Sequence, residues 1–254
     1  EFSDSYVKIW DIQTGKNIST LKVQTSDIFS SDFSDDGTKF IATLYDGSTS
    51  VWNTTSGKLN HRFDTEIPVP EEPVSSSNDN GFKTLLFTPD NKYIVTLPDL
   101  KIWDTGNGSY VNASSDQFVI GLADNPFSPD GKCLAADISF YDEKDPSGAA
   151  RYKTDIIDIE SGSVKFRLDG LTDPPNSVHS NPFSPDGNNI LTYSEEKKIY
   201  SLWDAYTGNK RFDLNGKDPK RIGSTAFFSP DGKFLITSSF ESNELGYIIR
   251  RFPL

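Results

Sequence analysis

The chain has 254 residues, of which 35% are hydrophobic and 13% aromatic, and its formal net charge is −12. This length suits one large all-β domain or two small ones. The negative charge argues against non-specific binding to nucleic acid or to an anionic membrane, because both need surface lysine and arginine. No stretch approaches the roughly 20 apolar residues of a membrane span.

Only one cysteine is present, so an internal disulfide is excluded and a reducing compartment is compatible with the composition. Cys133 lies in an apolar run, which predicts a buried and unreactive thiol.

From its first residues the chain repeats a strand-like run that ends in Trp-Asp or a close variant and is followed by a turn containing glycine. Alternating apolar and polar residues favour a strand, and the glycine marks its exit turn. The copies are VKIWDIQTGK (7–16), SVWNTTSGK (50–58), KIWDTGNG (101–108), DIIDIESGS (155–163) and SLWDAYTGNK (201–210).

A second phrase begins at five phenylalanines and joins two apolar runs through a tight turn of Pro, Asp and Gly. A run, such a turn and a second run are typical of a β-hairpin. The copies are FSDDG at Phe33, FTPDN at Phe87, FSPDG at Phe127, FSPDG at Phe183 and FSPDG at Phe228.

The phenylalanines are separated by 54, 40, 56 and 45 residues. A four-stranded propeller blade takes about 40 to 45 residues. Each long interval contains an insertion, residues 64–81 in one and 139–153 in the other. One unit then contains four strands, named a to d: a runs into FSPDG, b follows it, c ends near Trp-Asp, and d follows the glycine turn. Helical periodicity is found nowhere in the sequence.

These phrases resemble the blades of WD-repeat β-propellers, with SPDGK between strands a and b and Trp-Asp before the turn that follows strand c. The resemblance covers essentially the whole chain. It implies an all-β fold, a β-propeller of four-stranded antiparallel blades, with five complete or near-complete blades and a partial one. Residues 1–254 are then a single β-propeller domain, expected to be a fragment of a larger propeller or multidomain protein.

The sequence departs from this family in one respect. The Gly-His pair that usually precedes strand a is missing, since neither His61 nor His179 follows a glycine. The family's buried His–Ser–Asp–Trp network therefore cannot form in its usual version. Either other polar groups replace it, or the blades are less rigid.

Two further features concern the strand order. Pro126 and Pro182 fall in the predicted strand a, which pairs on one side only and so tolerates proline. The sequence predicts five a strands but six c strands, because no a strand precedes VKIW. Residues 17–23 could supply strand d to the final set, which would leave VKIW in another blade.

Irregular connections on a rigid scaffold commonly carry binding sites. The a–b and c–d turns are short and alike, whereas the d–a and b–c connections vary and contain both insertions. We therefore expect the interaction surface on the d–a/b–c face. The candidate partner-binding residues are Glu66, Glu71, Glu72, Asp79, Asp142, Glu143, Lys217, Lys220 and Arg221.

The acidic connections either attract a basic protein or peptide or merely keep the protein soluble. No Cys/His cluster or spaced calcium loop is present, so no metal or cofactor is expected. No nucleophile elbow or phosphate-binding glycine loop occurs, and the repeated aspartates are explained by turn hydrogen bonds. The recurrent tryptophans are expected to pack between blades and not to form a ligand cage.

The leading hypothesis is a non-catalytic scaffold that docks protein partners. The alternative is an accessory or sensor domain of a larger enzyme or NTPase whose catalytic part lies outside this chain. A third, RNA-associated role is disfavoured by the charge. A cytoplasmic location is expected, and the nucleus or another intracellular compartment stays open. The sequence does not predict the oligomeric state.

Overall fold

The computed structural model describes most of the chain and contains strands and turns. The described residues are 5–23, 28–44, 47–64, 85–96, 100–112, 118–121, 125–141, 150–171, 182–194, 199–214, 226–240 and 247–253. No helix occurs among them, as the sequence predicts. None of these segments forms a helix that could cross a bilayer.

The chain divides into two compact units, and the first contains residues 1–112. Its strands form a two-stranded sheet, β1-β2, and two four-stranded antiparallel sheets, β3-β4-β5-β6 and β7-β8-β9-β10. The strands are β1 (Ser5–Trp10), β2 (Asn17–Val23), β3 (Ile28–Phe33), β4 (Lys39–Leu44), β5 (Ser48–Asn53), β6 (Leu59–Asp64), β7 (Leu85–Phe87), β8 (Tyr93–Thr96), β9 (Lys101–Asp104) and β10 (Tyr110–Asn112).

The second unit contains residues 113–254 and repeats the arrangement. Its sheets have the order β11-β12-β13-β14, β15-β16-β17 and β18-β19-β20. The strands are β11 (Phe118–Gly121), β12 (Cys133–Tyr141), β13 (Ala150–Asp158), β14 (Val164–Leu171), β15 (Asn189–Ser194), β16 (Ile199–Asp204), β17 (Lys210–Leu214), β18 (Ala226–Phe228), β19 (Phe234–Phe240) and β20 (Tyr247–Pro253).

The five a–b turns share one hydrogen-bond pattern, which explains the repeated FSPDG phrase. A Ser or Thr hydroxyl donates to the aspartate two residues later, over 2.5 to 2.7 Å, and accepts the backbone N–H five residues later. The residue directly after the aspartate has a positive φ, +69° at Gly131 and +59° at Asn91. Asparagine tolerates this conformation better than other non-glycine residues, which explains the FTPDN variant. The hydroxyl–aspartate pairs are Ser34–Asp36, Thr88–Asp90, Ser128–Asp130, Ser184–Asp186 and Ser229–Asp231.

The turns after strand c are equally uniform. In the sheet β7-β10, Asp104 Oδ1 accepts the N–H groups of Gly106 and Asn107, and the N–H of Gly108 donates to the Asp104 carbonyl. Asp11, Asn53, Asp158 and Asp204 close their turns in the same way. The prediction that the Trp-Asp aspartate serves a turn is therefore confirmed.

A backbone bond connects the two turns within each of four sheets. The residue after the Trp-Asp position donates its N–H to a carbonyl in the a–b turn of the same sheet, over 2.8 to 3.0 Å. The pairs are Thr54–Thr38, Thr105–Lys92, Ile159–Lys132 and Ala205–Asn188. Both turns are thus attached to each other at one end of the sheet.

Consecutive sheets within each unit pack face to face through the tryptophan position. Trp52 packs against Leu21 and Val23 of β2, and Trp103 lies 5.0 Å from the Phe63 ring between centroids. In the second unit, Trp203 belongs to a cluster with Leu168 of the preceding sheet. The prediction of inter-sheet packing is confirmed for these three tryptophans.

Trp10 contradicts that prediction, because 54% of its surface is exposed, against 3–6% for the other three tryptophans. It lies on β1, in the two-stranded sheet, and no earlier sheet covers it among the described residues. Phe33 is 47% exposed for a related reason. The matching Phe87 packs on Ile41 of the preceding strand b, and β1-β2 has no such strand in the described part of the chain.

Two tryptophan N–H groups donate to threonines on strand b. Trp103 Nε1 donates to Thr96 Oγ1 over 3.0 Å, and Trp203 Nε1 donates to Thr192 Oγ1 over 2.8 Å. Burying an indole N–H is costly unless it has such a partner. The first alternative offered by the sequence therefore holds in these two sheets: other polar groups replace the missing histidine network.

Thr192→Val is expected to lower the free energy of unfolding by roughly 1–2 kcal/mol, because the buried Trp203 N–H loses its acceptor. Urea denaturation followed by circular dichroism measures the loss. In a Trp203→Phe background the same substitution should cost much less, since no indole N–H remains to be satisfied. An equal cost in both backgrounds would contradict the role of this hydrogen bond.

Three sequence expectations need correction. Residues 17–23 pair with β1, not with the final sheet, so VKIW has its own strand d. The insertion 139–153 is partly strand: β12 and β13 continue to the Tyr141–Ala150 pair, because its flanks are rich in residues that favour strands.

Strand a also differs at the prolines. At Phe127 and Phe183 it is reduced to single bridges, to Leu134 and Ile190. The preceding prolines cannot donate a ladder bond, although their carbonyls accept from Ala135 and Leu191.

Candidate functional site

The structure does not test the predicted partner-binding residues. All nine lie outside the described residues, as does most of the 64–81 insertion. They are Glu66, Glu71, Glu72, Asp79, Asp142, Glu143, Lys217, Lys220 and Arg221. Their role stays a prediction.

The described structure nearest to one predicted loop is the hairpin of β12 and β13, whose strands have nine residues each. Its c strand carries charges at buried positions. Lys153 Nζ lies 3.3 Å from Asp155 Oδ2, and the two side chains are 5% and 1% exposed. Arg167 Nε lies 3.3 Å from Asp155 Oδ1, and Lys153 Nζ lies 5.3 Å from the centroid of the Phe140 ring.

Asp137 lies on the other face of the same hairpin and is buried, with 8% of its surface exposed. Thr154 Oγ1 donates to Asp137 Oδ1 over 2.7 Å. Burial raises the pKa of Asp137 to about 7, and the Thr154 hydrogen bond opposes this shift only in part. On the same face of the hairpin, Ala135 and Ile156 belong to a buried hydrophobic cluster. A carboxyl inside the apolar run CLAADI was the available sequence signal.

A cleft lies between the sheet β1-β2 and the sheet β3-β6 of the first unit. It encloses about 230 Å³ and is open on one side. Trp52 and Leu59 supply apolar surface, while Lys22 of β2 and Arg62 of β6 supply two cations. Gly57 permits the close approach of the two sheets, because a Cβ there would lie 3.2 Å from the Thr20 carbonyl oxygen. Sequence analysis did not identify this cleft.

The single histidine that the structure describes has a structural role. His61 Nε2 lies 3.0 Å from the Gly106 carbonyl oxygen, and its ring stacks on Phe63. The other histidine, His179, lies outside the described residues. The described part of the chain brings no nucleophile to a histidine base, and it contains no group of three or more potential metal ligands.

Cys133 is buried as predicted, with 8% of its surface exposed. Burial raises the pKa of its thiol, and Lys165, whose Nζ lies 3.6 Å from the Sγ, opposes this only in part. A thiol in this state is a poor nucleophile.

The turn aspartates have the opposite electrostatics. Backbone and hydroxyl hydrogen bonds from Thr207 hold the pKa of Asp204 at about 2. The Thr38 N–H and the Ser34 hydroxyl lower the pKa of Asp36. These carboxylates are ionised acceptors in closed turns, which suits a structural role and not acid–base catalysis.

Comparison with known proteins agrees with this geometry. The family model described as "WD domain, G-beta repeat" matches residues 15–53. These residues run from the first c–d turn through strand c of the sheet β3-β6.

Two relatives carry WD repeats in their names. The chain is 28% identical over 182 residues to WD repeat-containing protein SL1-17 of Schistosoma mansoni, covering 68% of this chain and 49% of that protein. It is 27% identical over 173 residues to an uncharacterised WD repeat-containing protein of Synechocystis, covering 65% and 44%.

A human relative is much longer. The chain is 28% identical over 141 residues to apoptotic protease-activating factor 1 of Homo sapiens, covering 52% of this chain and 10% of that protein. The chain therefore spans about half the length of the two WD-repeat relatives and a tenth of the human protein. Small antiparallel sheets joined by these turns fit a β-propeller. The repeated turns, the tryptophan packing and the similarity to named WD-repeat proteins together support the assignment of the chain to a WD-repeat family.

Proposed function

We propose that this chain is a non-catalytic docking module, a β-propeller whose d–a and b–c connections bind a protein partner. The observation that carries the proposal is the uniformity of the other two connections. All five a–b turns and all five c–d turns close on themselves through the same hydrogen bonds. Variation between units is left to the d–a and b–c connections, where a rigid scaffold can present different side chains.

In this proposal each sheet is one blade. The sheets β3-β6, β7-β10 and β11-β14 have four strands, and the Phe183 bridge stands for strand a of the sheet β15-β17. The sheet β18-β20 supplies strands a to c of a fifth blade, and β1-β2 supplies strands c and d of a partial one. The chain is then a single propeller domain or a piece of a larger one.

The proposed partner is a basic protein or peptide. Residues 64–81 contain five carboxylates, at Asp64, Glu66, Glu71, Glu72 and Asp79, and no lysine or arginine. Complementary charge speeds encounter and selects partners more than it adds affinity. The net charge of −12 disfavours nucleic acid and anionic membrane as ligands, and a cytoplasmic location is proposed with it.

An affinity pull-down tests this function. Replacing residues 65–81 by a short Gly-Ser linker is expected to abolish capture of at least one protein that the full chain retains from a lysate of its source. A retained basic partner should elute as salt rises, because the attraction between exposed charges is screened. Lys16→Gln is the control, because Lys16 lies in a c–d turn and not in the d–a or b–c connections. This variant should capture the same proteins as the unchanged chain. Unchanged capture after the replacement would contradict this choice of binding loop.

The second candidate function is that of an accessory or sensor domain in a larger enzyme or NTPase. The observation that favours it is the match to apoptotic protease-activating factor 1, which covers only a tenth of that protein. An immunoblot of the source organism with an antibody against residues 64–81 distinguishes the candidates. A band far above 28.2 kDa would support a larger protein, and a band near that mass would contradict it.

A further inference from the structure

One of the five c–d turns carries an asparagine directly before its glycine. This residue is Asn107 of the sheet β7-β10, and it is exposed. Asparagine differs from serine and threonine in having a side-chain carbonyl carbon, which a backbone nitrogen can attack. In the other four turns a hydroxyl side chain occupies the position, at Thr14, Ser56, Ser161 and Thr207.

The glycine that follows Asn107 favours such an attack. Gly108 has no Cβ, so its backbone nitrogen is open to the preceding side chain. Its φ is +76°, and an added Cβ would lie 3.3 Å from Nδ1 of His61. The backbone conformation and the neighbouring sheet therefore both favour glycine here, and the Asn-Gly pair belongs to the closed turn.

The side chain of Asn107 is held over the peptide with which it can react. Asn107 Oδ1 accepts the N–H of Ser109 over 2.7 Å, whereas the hydroxyl oxygens of the other four turns lie 3.3–3.4 Å from the matching nitrogen. This hydrogen bond closes a ring that contains both Asn107 Cγ and the Gly108 nitrogen. A donor at this oxygen also stabilises the negative charge that develops there when Cγ is attacked.

The closed turn slows the reaction through its other hydrogen bonds. The Gly108 N–H donates to the Asp104 carbonyl over 3.0 Å, so it is occupied while the turn is closed. Asp104 Oδ1 accepts the N–H groups of Gly106 and Asn107 over 2.7 and 3.0 Å. Local opening of an exposed turn costs less free energy than unfolding of the sheets. The reaction rate therefore follows how often this turn opens.

We propose that Asn107 is a site of spontaneous deamidation, which proceeds through the open form of this turn. The Gly108 nitrogen bonds to Asn107 Cγ, and the Nδ2 group leaves as ammonia together with the proton that Gly108 loses. Water then opens the resulting succinimide ring at either carbonyl, which yields aspartate or isoaspartate at position 107. The reaction requires no oxidant and no second protein.

Either product weakens the connection of this turn to the preceding sheet. A carboxylate at position 107 is repelled by the carboxylate that caps the turn, and isoaspartate lengthens the main chain by one carbon. Contacts from the sheet β3-β6 depend on the turn, since His61 Nε2 lies 3.0 Å from the Gly106 carbonyl oxygen and Lys39 Nζ donates to Thr105 Oγ1 over 2.7 Å. Deamidation thus loosens the sheets β3-β6 and β7-β10 from each other, whatever the d–a and b–c connections bind.

Peptide mapping by mass spectrometry tests the proposal on the full chain, incubated at mildly alkaline pH and physiological temperature. Isoaspartate methyltransferase with labelled S-adenosylmethionine detects the isoaspartate product. Deamidated Asn107 is expected to accumulate in the folded chain, and about tenfold faster in concentrated urea, where the turn is open. Asn107→Ser is the matched control, because serine occupies this position as Ser56 and Ser161, and it should give no product there.

A second variant tests the control of the reaction by the turn. Asp104→Ala removes the acceptor of the Gly106 and Asn107 N–H groups and should raise the rate in the folded chain about tenfold. Asp104→Asn keeps an acceptor, as Asn53 does, and should leave the rate within about twofold. Circular dichroism verifies that both variants fold. If Asp104→Ala does not fold, the comparison of the folded chain with the chain in urea decides.

Hydrogen exchange measures the consequence for the sheets. Ion exchange separates the deamidated chain, in which the Thr105 N–H that donates to the Lys92 carbonyl should exchange faster than in the unmodified chain. Three results would overturn the inference. They are an intact Asn107 in the folded chain when the chain in urea has reacted, an unchanged rate in folded Asp104→Ala, and unchanged exchange at Thr105 after deamidation.

Discussion

Asp137→Asn is expected to stabilise the chain at pH 8 by about 2–4 kcal/mol and to change its stability little at pH 4. The physical reason is the burial of the Asp137 carboxyl, which raises its pKa to about 7 from 3.8. Asparagine is neutral at every pH and still accepts the Thr154 hydroxyl. For a chain of this size the gain corresponds to roughly 5–10 °C in melting temperature at pH 8.

The sign follows from proton binding. Between pH 3.8 and about 7 the folded chain keeps the Asp137 proton, whereas the unfolded chain has released it. Stability therefore falls as pH rises through this window, and the full cost is present above the folded-state pKa. Thermal unfolding of both proteins from pH 4 to pH 8 measures the difference, which should grow with pH and level off above 7.

A turn aspartate provides the control with opposite sign. The Ser229 hydroxyl and the Lys233 N–H lower the pKa of Asp231. Its contribution is therefore present above its unfolded pKa and is lost as pH falls through the folded pKa. Asp231→Asn should destabilise the chain at neutral pH. A stability difference for Asp137→Asn that is the same at pH 4 and pH 8 would refute the buried ionisation.

Gly208→Ala is expected to lower the free energy of unfolding by about 3 kcal/mol or more. Gly208 has a φ of +71°, which side chains other than glycine rarely adopt. An added Cβ would also lie 2.7 Å from Phe166 Cδ2 and 3.0 Å from Phe166 Cβ. The Cβ of Phe166 is fixed by strand β14, so the contact cannot be relieved by a rotamer change alone.

Gly15→Ala separates the two causes. Gly15 occupies the same turn position with a φ of +66°, and nothing lies within 4 Å of an added Cβ. It should cost only the backbone strain, about 1 kcal/mol. Urea denaturation of both variants measures the difference. In a Phe166→Ala background the extra cost of Gly208→Ala should shrink, and equal costs at both glycines would contradict the close packing of Phe166.

The turns were the part of the fold that the sequence predicted best. Their hydrogen bonds are local. The turn at Ser128, for example, is closed by hydrogen bonds between residues of the six-residue segment 128–133, in which Ser128, Asp130 and Gly131 take part. The strand order within a unit followed from the same repetition. Inter-sheet packing was predicted for Trp103 and Trp203 because a large aromatic residue recurred at one repeat position.

What could not be predicted depends on contacts between residues distant in sequence. The exposure of Trp10 depends on which sheet lies against it, and its own sequence context matches that of the buried tryptophans. The cleft at Arg62 needs the register of β5 with β6 and the approach of Lys22 from β2. Repeat alignment could have revealed it, since Arg62 and Arg167 occupy matching positions with different partners across the strand.

The backbone bond between the two turns of a sheet has a consequence for how such a chain evolves. It uses one N–H and one carbonyl, so any residue except proline at the donor position can make it. Its donors are as different as Thr105, Ile159 and Ala205. After tandem duplication, each copy can therefore drift at these positions while its scaffold keeps its shape, and selection is left to act on the loops at the far end.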